Sequence, residues 1–223
     1  MKKVLVFLLA FGGLSACQEK SCDFPNEEIL QEKEIVSLVK KNDITAVKSA
    51  LESGTDVNTR DKKGRSLLLT ATIEKQVEMA KLLVSYKADV NLQDDQLDSA
   101  FLYAGANGQT ELVMLYLENG FRFDVFNRYN GTALIPACER GHVETVKVLA
   151  KTKGFPINHV NKLGWTALME AVILGNGAQK YQEIVQILKD NGADITIPDH
   201  AGKTPLQHAE SLGFKEIAMI LKS

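Results

Sequence analysis

The sequence predicts an all-α solenoid of about six helix–turn–helix units, preceded by a secretory leader and a polar tether. Three observations carry this reading. Five short motif copies open with Ser or Thr at positions 66, 99, 132, 166 and 204, so successive copies are separated by 33, 33, 34 and 38 residues. Glu78, Glu111, Glu144 and Glu216 stand twelve residues after the first, second, third and fifth openings, and Glu183 follows the fourth with five extra residues. Each Glu heads an apolar stretch. The third observation is the start of the chain, where a basic head, a short apolar body and a small-residue exit follow one another.

Taken in order, Met1-Lys2-Lys3 is the basic head, Val4 to Phe11 is unbroken apolar sequence, and Gly12-Gly13 lead into Leu14-Ser15-Ala16-Cys17. The apolar run is too short to span a bilayer as a helix, which needs ~20 residues, and it lacks the polar face of a buried helix. Leu14-Ser15-Ala16-Cys17 resembles the lipobox of bacterial lipoproteins. That resemblance implies cleavage before Cys17 and acylation of its thiol and new amino group. Gln18 follows, not Asp, which implies sorting to the outer membrane, facing the periplasm. Several acyl chains, at ~0.8 kcal/mol per buried CH₂, make a near-permanent anchor.

Residues 1–16 therefore read as a signal peptide and 17–28 as the lipidated Cys with its tether. Residues 18–28, QEKSCDFPNEE, are polar and without apolar period. The tether's eleven residues reach ~35–40 Å when extended. Residues 29–223 hold the repeats, with approximate units 29–58, 59–91, 92–124, 125–158, 159–195 and 196–223. Lys33 to Asn58 lacks the capping motif, yet Ile35, Leu38, Ile44, Val47 and Leu51 keep the apolar spacing, as suits a terminal unit with one wet face.

The physics of one unit follows from its residues. Ser or Thr accepts an otherwise unpartnered backbone N–H at the helix start, and Pro205 suits the first helical position. Ala71, Ala104, Ala137, Ala171 and Ala209, five residues after each cap, let a neighbouring helix approach. Gly108, Gly141, Gly175 and Gly213 are expected to end the first helices, and Gly120 or Gly192 a second one. A lone helix pair cannot bury its apolar faces, whereas stacked pairs can.

Gly202-Lys203-Thr204-Pro205-Leu206-Gln207-His208-Ala209 and Asn191-Gly192-Ala193-Asp194-Ile195 resemble the core and the closing turn of the ankyrin repeat family. The resemblance covers about residues 30–223. Leu97 stands where the third unit should have its turn Gly, and only the last unit has Pro after the cap. Two irregularities admit two readings each. An insertion at about Asn176 to Lys180 reads as a longer inter-helix turn or a partner contact. Phe121-Arg122-Phe123 reads as bulkier packing or, again, a partner contact.

Composition and motifs exclude several classes. The chain has 223 residues, 26 Lys plus Arg against 28 Asp plus Glu, and 45% hydrophobic residues. Loss of Lys2 and Lys3 with the leader leaves 24 basic side chains and a net charge of −4. No basic excess suits a phosphate backbone, so nucleic acid is not an expected partner. Three Cys do not make a disulfide scaffold. An oxidising compartment permits a Cys22–Cys138 bridge, but Cys138 follows inward-facing Ala137 and is better read as a buried thiol. Gly202-Lys203-Thr204 has the ending of a phosphate loop, but Ile197 occupies the first glycine position. No Gly-x-Ser-x-Gly elbow presents a nucleophile. His142, His159, His200 and His208 have no metal-ligand spacing, and no Cys-x-x-Cys occurs. His208 is expected to face a neighbouring repeat. Asn130-Gly131-Thr132 fits a glycosylation sequon but also the repeat's turn and cap. No enzyme, metal or cofactor is expected.

The ankyrin resemblance implies that partners dock on a concave face of turn tips and first helices. The candidate partner-binding residues there are Lys62, Lys63, Arg65, Asp95, Gln96, Asp98, Arg128, Tyr129, Lys162, Trp165, His200 and Lys203. Trp165 either contacts a partner or packs on the adjacent turn. Small ankyrin lipoproteins of this build resemble immunity proteins of type VI secretion, which implies binding and neutralising a lipase or phospholipase toxin by a chain that is monomeric when free. The alternative is a periplasmic scaffold or stress-related protein that supports an envelope enzyme.

Overall fold

The computed structural model of the protein describes residues 27–223, with side chains from Lys33 onward. The leader, Cys17, Cys22 and most of the tether lie outside the described residues. Those described form twelve helices and no strand, with one isolated bridge between Arg60 and Ser66. The first helices of the units are α1 (Glu27–Lys40), α3 (Leu67–Ile73), α5 (Ala100–Ala106), α7 (Leu134–Arg140), α9 (Ala167–Ile173) and α11 (Pro205–Ser211). The second helices are α2 (Ile44–Glu52), α4 (Val77–Ser85), α6 (Thr110–Leu117), α8 (Val143–Lys151), α10 (Gln179–Asp190) and α12 (Lys215–Lys222). Each first helix packs on the next first helix and each second helix on the next second, so the two sets make two parallel layers. This is the solenoid the repeat spacing predicts.

Capping works as the motif requires in four units. The hydroxyls of Ser66, Ser99 and Thr166 accept from the N–H of Leu69, Leu102 and Met169 at 3.0, 3.3 and 3.2 Å. Thr204 and Gln207 exchange bonds in both directions as a capping box. The fourth unit differs. Thr132 is buried but makes no cap bond, and α7 starts after Ala133. Pro136, four residues on, has no N–H for the Thr132 carbonyl, so the first intrahelical bond is missing and the helix begins late.

The small residues do what their spacing demands. Ala71, Ala104, Ala137, Ala171 and Ala209 are each fully buried between layers. Gly105 is tighter still: a Cβ there would stand 2.6 Å from the Cβ of Ala133 in the next unit. The core also contains a paired polar contact, the Tyr116 hydroxyl at 2.7 Å from Thr72 Oγ1 on the preceding unit. Burial pushes the Tyr116 hydroxyl far above its ordinary range.

The insertion in the fifth unit corrects one expectation. Gly175 does not take the left-handed turn; Gly177 does, at φ +72°, and α9 closes at Leu174. Gly175 is needed for closeness, since a Cβ would strike the Ala171 carbonyl and the Tyr181 ring. The extra residues lengthen α10 to 12 residues, against 9 in α4 and α8, and move Glu183 out of the first turn. The insert is a shifted turn plus added helix.

In Phe121-Arg122-Phe123 the two rings pack, while Arg122 is exposed and pairs with Asp124. Phe121 stacks on Phe101 at 3.6 Å and faces Phe155 of the next unit at 6.4 Å, while Phe123 meets Phe155 edge-on at 6.0 Å. This aromatic chain joins two units. Leu97 adopts φ +58° in the turn position that favours Gly, with its side chain largely exposed.

Candidate protein-binding groove

Five fingers join the units, and each is closed by one Asx residue five positions before the cap: Asp61, Asp94, Asn127, Asn161 and Asp199. In the fifth unit, Asn161 Oδ1 accepts from the N–H of Leu163 at 2.9 Å and of Trp165 at 3.1 Å. Asp61 does the same for Lys63 and Arg65, Asp94 for Gln96 and Asp98, Asn127 for Tyr129 and Gly131, and Asp199 for Ala201 and Lys203. A short side-chain oxygen that satisfies two turn N–H groups holds a tight hairpin without a sheet. Sequence reading missed this residue, although its register matches that of the caps.

Neighbouring fingers are laced together. The Lys162 N–H donates to the Tyr129 carbonyl at 2.9 Å, and the Asp95 N–H to the Lys63 carbonyl at 3.1 Å. Gln93 Nε2 reaches the Phe126 carbonyl at 2.7 Å. The first four fingers therefore form one linked edge above the layer of first helices, and the space between them is a groove.

At the centre, Arg128 and Tyr129 divide two adjoining clefts of about 280 and 350 Å³. The first is lined by Asp98, Leu102, Tyr103 and Asn107, the second by Ile135, Leu163, Glu170 and Leu174, and both by Pro136, Glu139 and Arg140. Tyr129 is 52% exposed, Leu163 49% and Leu174 45%. Arg128 lies over the Tyr129 ring at 5.0 Å and 3.7 Å from the Asp98 carboxylate. Arg140 turns toward the third unit, donating to the Ala106 carbonyl at 2.7 Å. Both cations thus face away from Glu170, which is buried and accepts one bond from Asn161 Nδ2 at 2.9 Å. Burial, then the nearby Glu139 carboxylate, pushes Glu170 up to about 7, although the Asn161 bond opposes the shift. Burial and then Asp94 likewise raise Asp98, despite Arg128 and Arg140.

The structure sorts the sequence-predicted residues into groups. Asp98, Arg128 and Tyr129 meet in the central groove. Lys62, Lys63 and Arg65 sit together at the N-terminal end. Asp95 and Gln96 are exposed on the second finger. Lys162 Nζ is tied back to the Arg128 carbonyl at 2.9 Å, and Trp165 is half-buried beside the cap. The His200 ring lies over Gly164, where an added Cβ would come within 2.6 Å of it. Lys203 is half-buried at the last finger. His208 bonds Asp199 Oδ2 of its own finger at 2.7 Å, where a contact to a neighbouring repeat was expected. Glu139, Glu170, Leu163 and Leu174 were missed; their types carry no motif, and only folding brings them to one wall.

Cys138 is fully buried, and burial followed by the charge of Glu170 pushes its thiol well up, so it is a packing residue. Among the described residues no cluster of His, Cys, Asp and Glu could hold a metal, and no helix is long and apolar enough to cross a membrane.

The family pattern of ankyrin repeats (3 copies) matches residues 35–127 and 101–199. The chain belongs to the ankyrin repeat family. The ankyrin repeat protein YahD of Escherichia coli K12 is 37% identical over 181 residues, which is 81% of this chain and 90% of that protein. A solved ankyrin repeat domain from Acinetobacter baumannii AYE is 44% identical with a TM-score of 0.83, covering 86% of this chain and 97% of that one. The ankyrin repeat protein EF0377 is 39% identical, TM-score 0.82, covering 85% and 96%. Ankyrin repeats are interaction scaffolds, and the groove described here belongs to a protein-binding module.

Proposed function

We propose that this chain is an envelope-anchored binding module that works by occupancy and not by chemistry. Its most specific form is an immunity protein that covers the active-site entrance or membrane-docking surface of a secreted lipase or phospholipase toxin. The observation that carries the binding reading is the central groove, where exposed Tyr129, Leu163 and Leu174 surround Glu139 and Glu170. Aromatic and Arg side chains in such a setting are the types that dominate interface energetics. A partner that spans several fingers would bury ~800 Å² on this side, the usual size for a specific complex. The anchor rests on Leu14-Ser15-Ala16-Cys17, and the toxin class on the likeness to small ankyrin lipoproteins.

The test is a protection assay. Cells that express this protein should survive a lipase-type toxin delivered to the periplasm, and Cys17→Ser should lose both envelope retention and protection. The variant Arg128→Ala, Tyr129→Ala, Leu163→Ala should fold normally yet lose at least about 2 kcal/mol of partner binding by calorimetry. Undiminished binding by that variant removes the central groove from the interface. No protection, with an envelope enzyme co-purifying instead, transfers the reading to a scaffold.

A further inference from the structure

A groove of about 560 Å³ lies at the opposite end from the C-terminal helix pair, between α1 and the first finger. Lys33, Val36 and Lys40 share one face of α1 by their spacing of three and four, and form one wall. Arg60, Lys62 and Lys63 form the other. Among the described residues the one carboxylate lining the groove, Asp61, is consumed locally. It takes a two-pronged bond from Arg65, at 2.8 and 2.6 Å, and accepts from two backbone N–H groups. Burial alone would raise its carboxyl; Arg65 and the two N–H groups outweigh it and hold the carboxyl below its ordinary value.

Arg65 is thereby neutralised, and five cations remain. Among the described residues none of Lys33, Lys40, Arg60, Lys62 and Lys63 makes an ion pair. Arg60 does donate to the Gln93 carbonyl at 3.0 Å, which ties its guanidinium to the next unit. The chain as a whole is slightly acidic, so this positive concentration is local. The field ends abruptly at the next finger, which carries Asp94, Asp95 and Asp98.

We infer that the trough between α1 and the finger 60–65 receives an acidic segment of a protein partner, an extended or loop stretch rich in Asp and Glu. Two facing rows of cations, with Val36 between Lys33 and Lys40, suit a chain that enters from above. A bilayer surface is flat and would meet the rims of the trough but not both inner walls. The trough lies on the same finger-and-first-helix side as the central groove, so one partner can occupy both. This inference rests on the chain being a protein-binding module and names the charge of what it binds.

The test uses the full chain carrying Cys17→Ser and fluorescein-labelled octaglutamate as probe, with octaglutamine as the neutral control. Fluorescence anisotropy should show saturable octaglutamate binding that weakens as salt rises. Lys62→Glu with Lys63→Glu, both at exposed positions, should weaken it about tenfold or more without a change in circular dichroism. Arg128→Ala, Tyr129→Ala, Leu163→Ala should leave it unchanged, so failure of the central groove and failure of this trough are read separately. No octaglutamate binding, or equal binding by the Lys62/Lys63 variant, overturns the inference. Retention on vesicles of phosphatidylethanolamine and phosphatidylglycerol through Lys62 and Lys63, at peptide concentrations that do not compete, overturns it in favour of a membrane surface.

Discussion

The fifth and sixth units contain the same link with its chemistry reversed. In both, a finger residue bonds a first-helix residue nine positions later. At the end of the solenoid a carboxylate in the finger, Asp199, meets His208 on α11 at 2.7 Å. In the fifth unit an amide in the finger, Asn161, meets a carboxylate on α9, Glu170, at 2.9 Å. The backbone N–H of Lys203, followed by His208, holds Asp199 below the ordinary carboxylate range. Glu170 lacks a cation and is pushed the other way, to about 7. A repeat can therefore keep a scaffold link while changing what the groove offers: the sixth unit closes its charge internally, and the fifth leaves a carboxyl facing the groove.

The largest expected effect comes from breaking the fifth-unit link. Asn161→Ala removes two turn bonds and the Glu170 donor, and should cost about 3 kcal/mol in a urea titration, at about 1 kcal/mol per bond. Asp199→Ala, in a unit with one described neighbour where the fifth has two, should cost less. If the two costs are equal, depth in the stack does not set the value of the link.

The two links should next show opposite pH signs. Glu170 has a raised folded value, so the folded state holds its proton more tightly than the unfolded chain does. Stability should therefore fall as pH rises from 4.5, the ordinary value, to about 7, and then level off. Glu170→Gln should flatten that slope, since the amide keeps an oxygen for Asn161 and carries no charge. Asp199 has a lowered folded value, so its contribution is present at neutral pH and is lost as pH falls through the folded value. Asp199→Asn should leave the Glu170 slope intact and reduce the acidic limb by the Asp199 share alone. Urea midpoints taken from below 3.8, the ordinary Asp value, to above about 7 check both.

The smallest effect sharpens the comparison between fingers. Gly164 and Gly202 supply the left-handed turn residue in the fifth and sixth units, whereas the third unit uses Leu97 at φ +58°. Leu97→Gly should stabilise by ~0.5–1 kcal/mol, the gain from relieving a left-handed Leu less the added freedom of the unfolded chain. A lower melting temperature for that variant would mean that the exposed Leu97 side chain contributes packing which outweighs the strain.

Much of the scaffold was legible. Ser66, Ser99, Thr166 and Thr204 announce helix starts because a cap is a local event, complete within four residues. Ala137 and its counterparts announce close packing because their register repeats. Thr132 was misread because Pro136 cancels the bond that a cap introduces, and Gly175 was misread because the insertion shifted the turn to Gly177. The groove was legible only in part. Arg128 and Tyr129 were among the candidate finger residues, but Leu174 and Glu139 look like ordinary helix positions until neighbouring units bring them to one wall.

The amino-acid order by itself determined the repeat, its length, the alternation of two helix layers and the fingers between them, because each depends on contacts within about one unit or with the next. Tertiary stacking alone decided which charges meet. It turned Arg128 and Arg140 away from Glu170 and set Lys33 and Lys40 across from Lys62 and Lys63. Those outcomes depend on distances between residues that are about one repeat apart in sequence, and a period read along the chain does not contain them.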